Sequence, residues 1–320
     1  MGFFIEREEP HPNAELWACN YTDPSLSTAQ ALLPITIIGL STELHTIGFE
    51  FHEPSSTAST LFVTNNGREG PRVEQFNLDL QTLIATHRRT ISHPLFRAPN
   101  SIIALSDTEF LVTNQHHFTV REFGWLLWEL ETYLALPIVS VVHVRILADG
   151  AIDAAVVIRQ AYPNGIALLN SSTVAVAATS KRLVYLYTIL PEEQGQTHPR
   201  LRLETSISLP FLPDNLSVSK GDGALLIAGH PHLPSLNKFS RSRWVCHEPK
   251  VLANAAEKTK KMCEETTAAS WVSEWTLEGG LKHLYAGWEY PTSSSIVRDR
   301  EKGVGIVSGL YGKGLMVWRD

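Results

Sequence analysis

An all-β fold, a six-bladed β-propeller with a helix over one face, is what the sequence predicts, and two observations lead there. Most of the chain consists of short runs rich in β-branched and aromatic residues, each closed by a polar or glycine-containing turn, the signature of antiparallel strands. A unit of one apolar strand, a polar turn, a second strand and a third also recurs, as Ile102 to His117, Ile166 to Thr188, Leu216 to His230 and Ile296 to Trp318. Its anchoring motifs begin near Gly48, Asn100, Asn164 and Asn215, so successive anchors lie 52, 64 and 51 residues apart. Four-stranded propeller blades occupy about 40 to 50 residues, which divides the chain into roughly six blades, the first truncated, within one domain over 1–320. A β-sandwich is the rival architecture, but its turn signals would recur without a long-range period.

Taken in order, the clearest strands are Ser59 to Thr64, Ile102 to Leu105, Phe110 to Thr113, Val174 to Ala178, Leu183 to Thr188, Ala224 to Ala228 and Gly303 to Ser308. Two segments break the pattern. Phe118 to Leu136 sets Phe123, Leu126, Leu127, Leu130, Tyr133 and Leu134 at helical spacing with Glu122, Glu129 and Glu131 among them, which predicts a helix packed on the propeller face. The sharper alternatives are a lid over a pocket or a surface for weak lipid or hydrophobic contact through 123–136. Lys250 to Ala268 lacks proline and glycine and mixes Lys with Glu, so 250–268 reads as a helical insertion or charged loop without chemistry of its own.

Composition narrows the partners. The 320 residues are 43% hydrophobic and 19% charged, which fits a globular chain with a large core and not a solvated, disordered one. A net charge of −6 with no Lys/Arg stripe argues against nucleic acid or an anionic membrane as the main partner. The longest apolar stretches, around Ala31 to Leu40 and Leu134 to Val144, are interrupted by Pro34 and Pro137, so no transmembrane helix is expected. The start turns acidic at Glu6, Glu8 and Glu9, unlike a secretory leader. As written the chain is therefore expected in the cytoplasm, or secreted if its N-terminus is incomplete. Cys19, Cys246 and Cys263 are widely spaced and suggest neither a disulfide framework nor a Cys-x-x-Cys metal site, with one bridge left open.

No Gly-x-Ser-x-Gly elbow, His-Glu-x-x-His, Walker loop or strand-borne Gly-x-Gly-x-x-Gly occurs, which leaves covalent serine catalysis and nucleotide binding without support. The densest histidines are His116-His117 and His230-Pro231-His232, and neighbours on a strand face opposite ways, so at most one of the adjacent pair can face a shared site. More telling are Pro99-Asn100-Ser101-Ile102, Pro163-Asn164-Gly165-Ile166 and Pro213-Asp214-Asn215-Leu216. Each presents Asn or Asp after a proline, at the start of an apolar strand. In a propeller such strand starts line the central channel, where amide oxygens and a carboxylate suit calcium, a hard cation taking six to eight oxygens. Asn and Asp after Pro are also ordinary turn formers; their recurrence at blade spacing favours the shared site.

At these residues the chain resembles the serum paraoxonase/arylesterase family, six-bladed propellers that hydrolyse lactones and aryl esters with a channel calcium. The likeness runs from about Leu44 to Trp318, through Ala98-Pro-Asn-Ser-Ile-Ile-Ala-Leu105, Phe110-Leu-Val-Thr-Asn-Gln-His-His-Phe118, Pro163-Asn-Gly-Ile-Ala167, Pro213-Asp-Asn-Leu-Ser-Val218 and Gly229-His-Pro231. The resemblance implies calcium ligands at Asn100, Asn164, Asp214 and Asn215, with an N-terminal glutamate falling on Glu6 by ungapped alignment back from Leu16-Trp17-Ala18-Cys19. It places pocket histidines at His116 and His230, and a helix beside the active-site mouth over Phe118 to Leu136.

Departures accompany the match. The family's second, structural calcium would need aspartates where Arg7 and Ser101 stand, so that site is expected weakened or lost. The family's water-activating histidine pair corresponds to Ile47 and Asn66, neither of which takes a proton at neutral pH, and His45 lies two residues from the first place. The expected function is a calcium-dependent hydrolase of lactones or aryl esters, with Asp214, His116 or His230 orienting or deprotonating water. The rival is an impaired propeller that keeps a structural calcium and serves as a binding or scaffold module. A related lactonase or synthase propeller with another metal matches these motifs less well.

Overall fold

Consecutive apolar residues on a strand point to opposite faces, so runs such as Ile102-Ile103, Leu111-Val112 and Val141-Val142 demand sheets covered on both sides. The computed structural model, which describes residues 13–53, 58–191 and 193–320, forms such sheets. The first contains β1 (Leu16–Cys19), a short helix α1 (Thr28–Ala31), β2 (Leu32–Ile38), β3 (Phe49–His52), β4 (Ala58–Asn65), β5 (Arg72–Asp79) and β6 (Ile84–Ile91), with strand order β1-β2-β6-β5-β4-β3. The second orders β7 (Pro99–Ser106), β8 (Glu109–Asn114), β9 (Val139–Ile146) and β10 (Ile152–Gln160) consecutively, with α2 (Val120–Leu134) inserted between β8 and β9. The third is the meander β11 (Pro163–Asn170), β12 (Thr173–Ala178), β13 (Leu183–Ile189) and β14 (Leu201–Ser208).

The fourth sheet comprises β15 (Leu212–Val218), β16 (Leu225–His230), β17 (Ser270–Thr276) and β18 (Gly280–Gly287), and the fifth β19 (Ser293–Asp299), β20 (Val304–Gly309) and β21 (Leu315–Arg319). Between β16 and β17 the chain makes a helical excursion, α3 (Leu233–Cys246), α4 (Pro249–Ala253) and α5 (Glu257–Glu265). A disulfide between Cys246 and Cys263 joins α3 to α5. The expected insertion over 250–268 is thus helical, but it begins earlier, at Leu233, where Pro234 in the first turn is a helix-start signal.

Strand accounts for 48% of the described residues and helix for 16%, so the architecture is mostly β as expected. The sheets among the described residues number five, with six, four, four, four and three strands, where spacing led to six. The difference arises at the N-terminal side: β2 pairs with β6 in parallel, Thr36 opposite Ile84, which fuses the β1–β2 hairpin to the sheet after it.

The chain divides into two compact units. One runs to Lys181 and takes in Tyr185–Ser206; the other comprises Arg182–Val184 and Ile207–Asp320. In the first unit, Phe62, Val73, Ile102, Phe110, Val112, Val142 and Val144 make a buried layer between the first two sheets. Ile103, Leu111, Val141, Ile158, Ile166, Val174 and Val176 fill the next layer, between the second and third. The other unit repeats the device with Leu226, Ala228, Val272, Ile296 and Val307 between its two sheets. Each fully buried aliphatic or aromatic side chain contributes about 1.5–3 kcal/mol, and strands covered on both faces lose the polar alternation of an open sheet.

Candidate functional site

Four sheets break register at the same place in their first strand. Pairing shifts between Pro99 and Ile102, Pro163 and Ile166, Pro213 and Leu216, and Ser293 and Ser295. The prolines have no N–H to give, and a break in the ladder re-aims the side chains at it. The residues so released are Asn100-Ser101, Asn164-Gly165, Asp214-Asn215 and Ser294. Asn100, Asn164 and Asp214 are 5%, 5% and 8% exposed, too buried for ordinary turn formers.

In the first unit, threonine hydroxyls stitch one sheet to the next at these breaks. Thr64 Oγ1 accepts from the Gly48 N–H at 3.0 Å and lies 3.3 Å from the Asn100 carbonyl. Thr113 Oγ1 accepts from the Ser101 N–H at 3.0 Å and donates to the Asn164 carbonyl at 2.7 Å. Gly48 has to be glycine, since a Cβ there would stand 1.9 Å from the Asn100 carbonyl oxygen. Thr113→Val would keep the shape and strip the bonds to the part-buried Ser101 N–H and the buried Asn164 C=O. The expected loss is about 2 kcal/mol in denaturant unfolding.

The Asn100 amide donates to Gln115 Oε1 at 2.9 Å, while buried Asn164 Oδ1 has no hydrogen-bond partner among the described residues. His116 is 3% exposed, between the Trp128 and Tyr162 rings at centroid distances of 4.8 and 4.5 Å. Its Nδ1 lies 3.3 Å from Glu131 Oε1, and its buried Nε2 has no partner among the described residues. Glu131 accepts in addition from the backbone N–H groups of His117 and Phe118, at 3.0 and 2.8 Å. The carboxylate can only accept, so His116 carries its proton on Nδ1 and presents a bare lone pair at Nε2. Burial pushes the imidazole below its ordinary range, against the pull of Glu131, which keeps it neutral at neutral pH. Burial raises the Glu131 carboxyl, but the hydrogen bonds from His116, Phe118 and His117 outweigh it and hold the group below the usual carboxylate range.

Glu131 is a candidate site residue that helical spacing does not single out from Glu122 and Glu129. Helix α2 is turned inside out relative to an ordinary amphipathic helix. Glu131 is its one buried residue, whereas Phe123, Trp125, Leu126, Leu130, Tyr133 and Leu134 are exposed. Gly124, at φ 74°, kinks the helix.

In the other unit, Asp214 Oδ2 accepts from His230 Nε2 at 3.0 Å, leaving His230 Nδ1 buried without a partner among the described residues. The Asn215 amide donates to Ser295 Oγ at 3.0 Å. Gly229, paired with Pro213, admits no side chain, because a Cβ would come 2.2 Å from the Leu212 carbonyl oxygen. That close approach seats His230 against Asp214. His232, by contrast, is spent on capping α3, where Nδ1 accepts from the Ser235 N–H at 3.3 Å.

Of the remaining expected residues, Glu6 and Arg7 lie outside the described residues. Ser101 Oγ sits 3.4 Å from the Ile166 N–H. Asn66 commits its amide to the Pro99 carbonyl at 2.9 Å, and His45 Nε2 lies 3.3 Å from Glu43 Oε2. Among the described residues no three His, Cys, Asp or Glu side chains converge to hold a metal ion. The candidate set draws on amide oxygens instead, and the unpartnered Asn164 Oδ1 fits an oxygen-seeking cation. No described helix is long and apolar enough to cross a membrane.

Comparison with known proteins bears on this arrangement. Serum paraoxonase/arylesterase 2 of Canis lupus familiaris is 32% identical over 181 residues, covering 54% of this chain and 45% of that protein. Serum paraoxonase/lactonase 3 of Oryctolagus cuniculus is 29% identical over 178 residues, with the same coverage. The matched segment thus spans less than half the length of these relatives. Among solved structures, a protein provisionally assigned as a gluconolactonase aligns with TM-score 0.51 at 14% identity, over 92% of this chain and 79% of that one. A functionally unknown protein from Desulfotomaculum acetoxidans aligns with TM-score 0.50 at 10% identity, over 95% and 78%. These two likenesses speak to the fold alone. A family model for arylesterases matches residues 39–246, a span holding Asn100, His116, Glu131, Asn164, Asp214, Asn215 and His230, and the chain belongs to the arylesterase family.

Proposed function

We propose that the chain is a calcium-dependent hydrolase of carboxylic esters, lactones or aryl esters, and that its sheets are the blades of a propeller, six being the count that the family resemblance implies. The observation that carries this reading lies in the first unit. Buried Asn164 Oδ1 and buried His116 Nε2 both lack partners among the described residues, and the first suits a hard cation while the second suits a proton. The ligand set that the family resemblance implies for the metal is Asn100, Asn164, Asp214 and Asn215, with Glu6. Calcium bound there would supply Lewis acidity toward the substrate carbonyl and the oxyanion that follows from it.

His116 is the general base in this reading. It is neutral, it is fixed in the Nδ1–H tautomer, and Glu131 is placed to stabilise the imidazolium formed when Nε2 takes a proton from water. That pair stands in for the histidines replaced by Ile47 and Asn66. Asp214, held by His230, supplies the carboxylate of the ligand set, and His230 Nδ1 is the second lone pair able to orient water. The apolar side chains of 123–136 on α2 would favour hydrophobic substrates and weak contact with lipid or another apolar surface.

The test is an assay of the purified chain on aryl acetates and medium-chain lactones, with calcium and with excess chelator. Hydrolysis that needs calcium is expected. Its absence under both conditions would sink the enzyme reading, and activity that survives the chelator would sink the metal's part in it. A second reading, a binding or scaffold module with a structural calcium, is favoured by Asn66 being spent on the Pro99 carbonyl. It is separated by calcium-dependent stabilisation with no turnover.

A further inference from the structure

The first unit holds a second histidine pair that the proposed chemistry leaves unused. His143 on β9 has a side chain with no exposed surface, and His198 belongs to the segment joining β13 to β14. Their Nδ1 atoms lie 2.9 Å apart, with the rings at 83°. Each far nitrogen meets a carboxylate: His143 Nε2 is 2.7 Å from Glu109 Oε1, and His198 Nε2 is 3.1 Å from Asp153 Oδ1. Glu109 opens β8 and Asp153 stands on β10, so three strands of the second sheet and the segment from the third converge. Arg145 on β9 braces that segment through the Thr197 carbonyl at 3.1 Å, with Asp153 Oδ2 at 3.9 Å.

Counting hydrogens shows what the group requires. Ionised carboxylates only accept, so Glu109 and Asp153 each take an N–H from a ring. A neutral imidazole has one N–H, which leaves both Nδ1 atoms as bare lone pairs facing each other. The row is therefore short of one positive charge at its centre. Imidazoles whose second nitrogen donates to a carboxylate, which fixes the tautomer and raises the basicity of the first, are the usual form of metal-binding histidines.

We propose that His143 Nδ1 and His198 Nδ1 are the protein donors of a site for one borderline divalent metal ion of the zinc class, with Glu109 and Asp153 as its outer carboxylates. Two nitrogens and no third protein ligand leave the other positions to water, which reaches the pair from the His198 side, where the side chain is 19% exposed. At zinc–nitrogen distances of about 2.0–2.1 Å a tetrahedral angle sets the nitrogens roughly 3.3 Å apart, an opening of a few tenths of an ångström. His198, on an inter-strand segment, can supply it. Imidazole nitrogen does not suit calcium, so the site would ignore the cation proposed for the other one. Its occupation would tie the 190–200 segment to the second sheet.

The experiment is titration of the full chain, stripped by chelator and returned to excess calcium, with zinc chloride by calorimetry and with cobalt(II) by visible absorption. One equivalent of zinc is expected, with a tetrahedral cobalt spectrum and a raised unfolding midpoint. His198→Ala should weaken zinc binding at least tenfold and abolish the midpoint shift while the protein stays folded. Absence of stoichiometric zinc binding, or binding unchanged in His198→Ala, overturns the proposal. So does a contact between the segment and β9 that depends on acidification alone and not on zinc, since a shared proton would then complete the row.

Discussion

Glu131→Ala is expected to lower the unfolding free energy by about 4–5 kcal/mol, the largest single loss foreseen for any side chain of α2. Truncation leaves His116 Nδ1–H and the His117 and Phe118 N–H groups without their acceptor in a site 3% exposed. Each buried donor left unsatisfied costs about 1–3 kcal/mol, and losses of this size are diagnostic of a broken buried network. Glu131→Gln, which keeps one acceptor, should recover part of it. Urea unfolding of the three proteins checks the order. A loss below about 1 kcal/mol for Glu131→Ala would mean that the helix does not hang on this carboxylate.

The same pair gives the pH dependence a sign. The His116 pKa is lowered by folding, chiefly through burial, so the unfolded chain takes up a proton that the folded one resists. Stability is therefore lost as pH falls below about 6.5, the ordinary histidine value. The Glu131 pKa is also lowered, and its contribution persists until pH falls through the depressed folded value. Both act in the same direction, so acid should loosen α2 first. Amide exchange of 117–134 followed from pH 8 to pH 5 should show it, and the effect should persist or grow in Glu131→Gln, because the Glu131 charge opposes the burial that depresses His116.

The part of the site that could be read from sequence was the part written in local chemistry. Pro163-Asn164 and Pro213-Asp214 announce a strand start because proline cannot join the ladder, and the register breaks fall at those residues. The fourth copy, at Ser293 to Ser295, escaped because no Pro-Asn marks it and because the excursion from Leu233 to Glu265 stretches the interval between anchors. Glu131 escaped for another reason. Helical periodicity assumes that the apolar face turns inward, and here three backbone and ring donors pulled an acid in and left the apolar face outside. One bridge was left open by the three cysteines, but its pairing as Cys246–Cys263 has no local signal, since only the excursion from α3 to α5 brings residues 17 apart into range. The sheet count departs from the expected spacing at β2, where a parallel pairing with β6 obeys no local signal.

Asp214→Asn should reduce kcat/KM for the best ester or lactone by about two to three orders of magnitude while leaving the calcium-free fold nearly unchanged. The side chain is 8% exposed and meets His230 Nε2 at 3.0 Å. An asparagine of the same shape still offers an oxygen to that N–H, so the local hydrogen bond survives. What disappears is the one carboxylate among the four described candidate ligands, the others being amides. Metal electrostatics in hydrolysis are worth several kcal/mol, and each 1.4 kcal/mol lost is tenfold in rate. A weakened calcium site should therefore appear as a loss of rate partly restored by raising calcium, with the apparent calcium affinity falling in step. If Asp214 serves only as a structural partner of His230, Asp214→Asn should leave turnover and the apparent calcium affinity unchanged, and calcium should shift the unfolding midpoint as much as in the parent chain. Comparing unfolding with and without calcium alongside the kinetics separates the two, because a ligand shifts the midpoint only in the state that binds it.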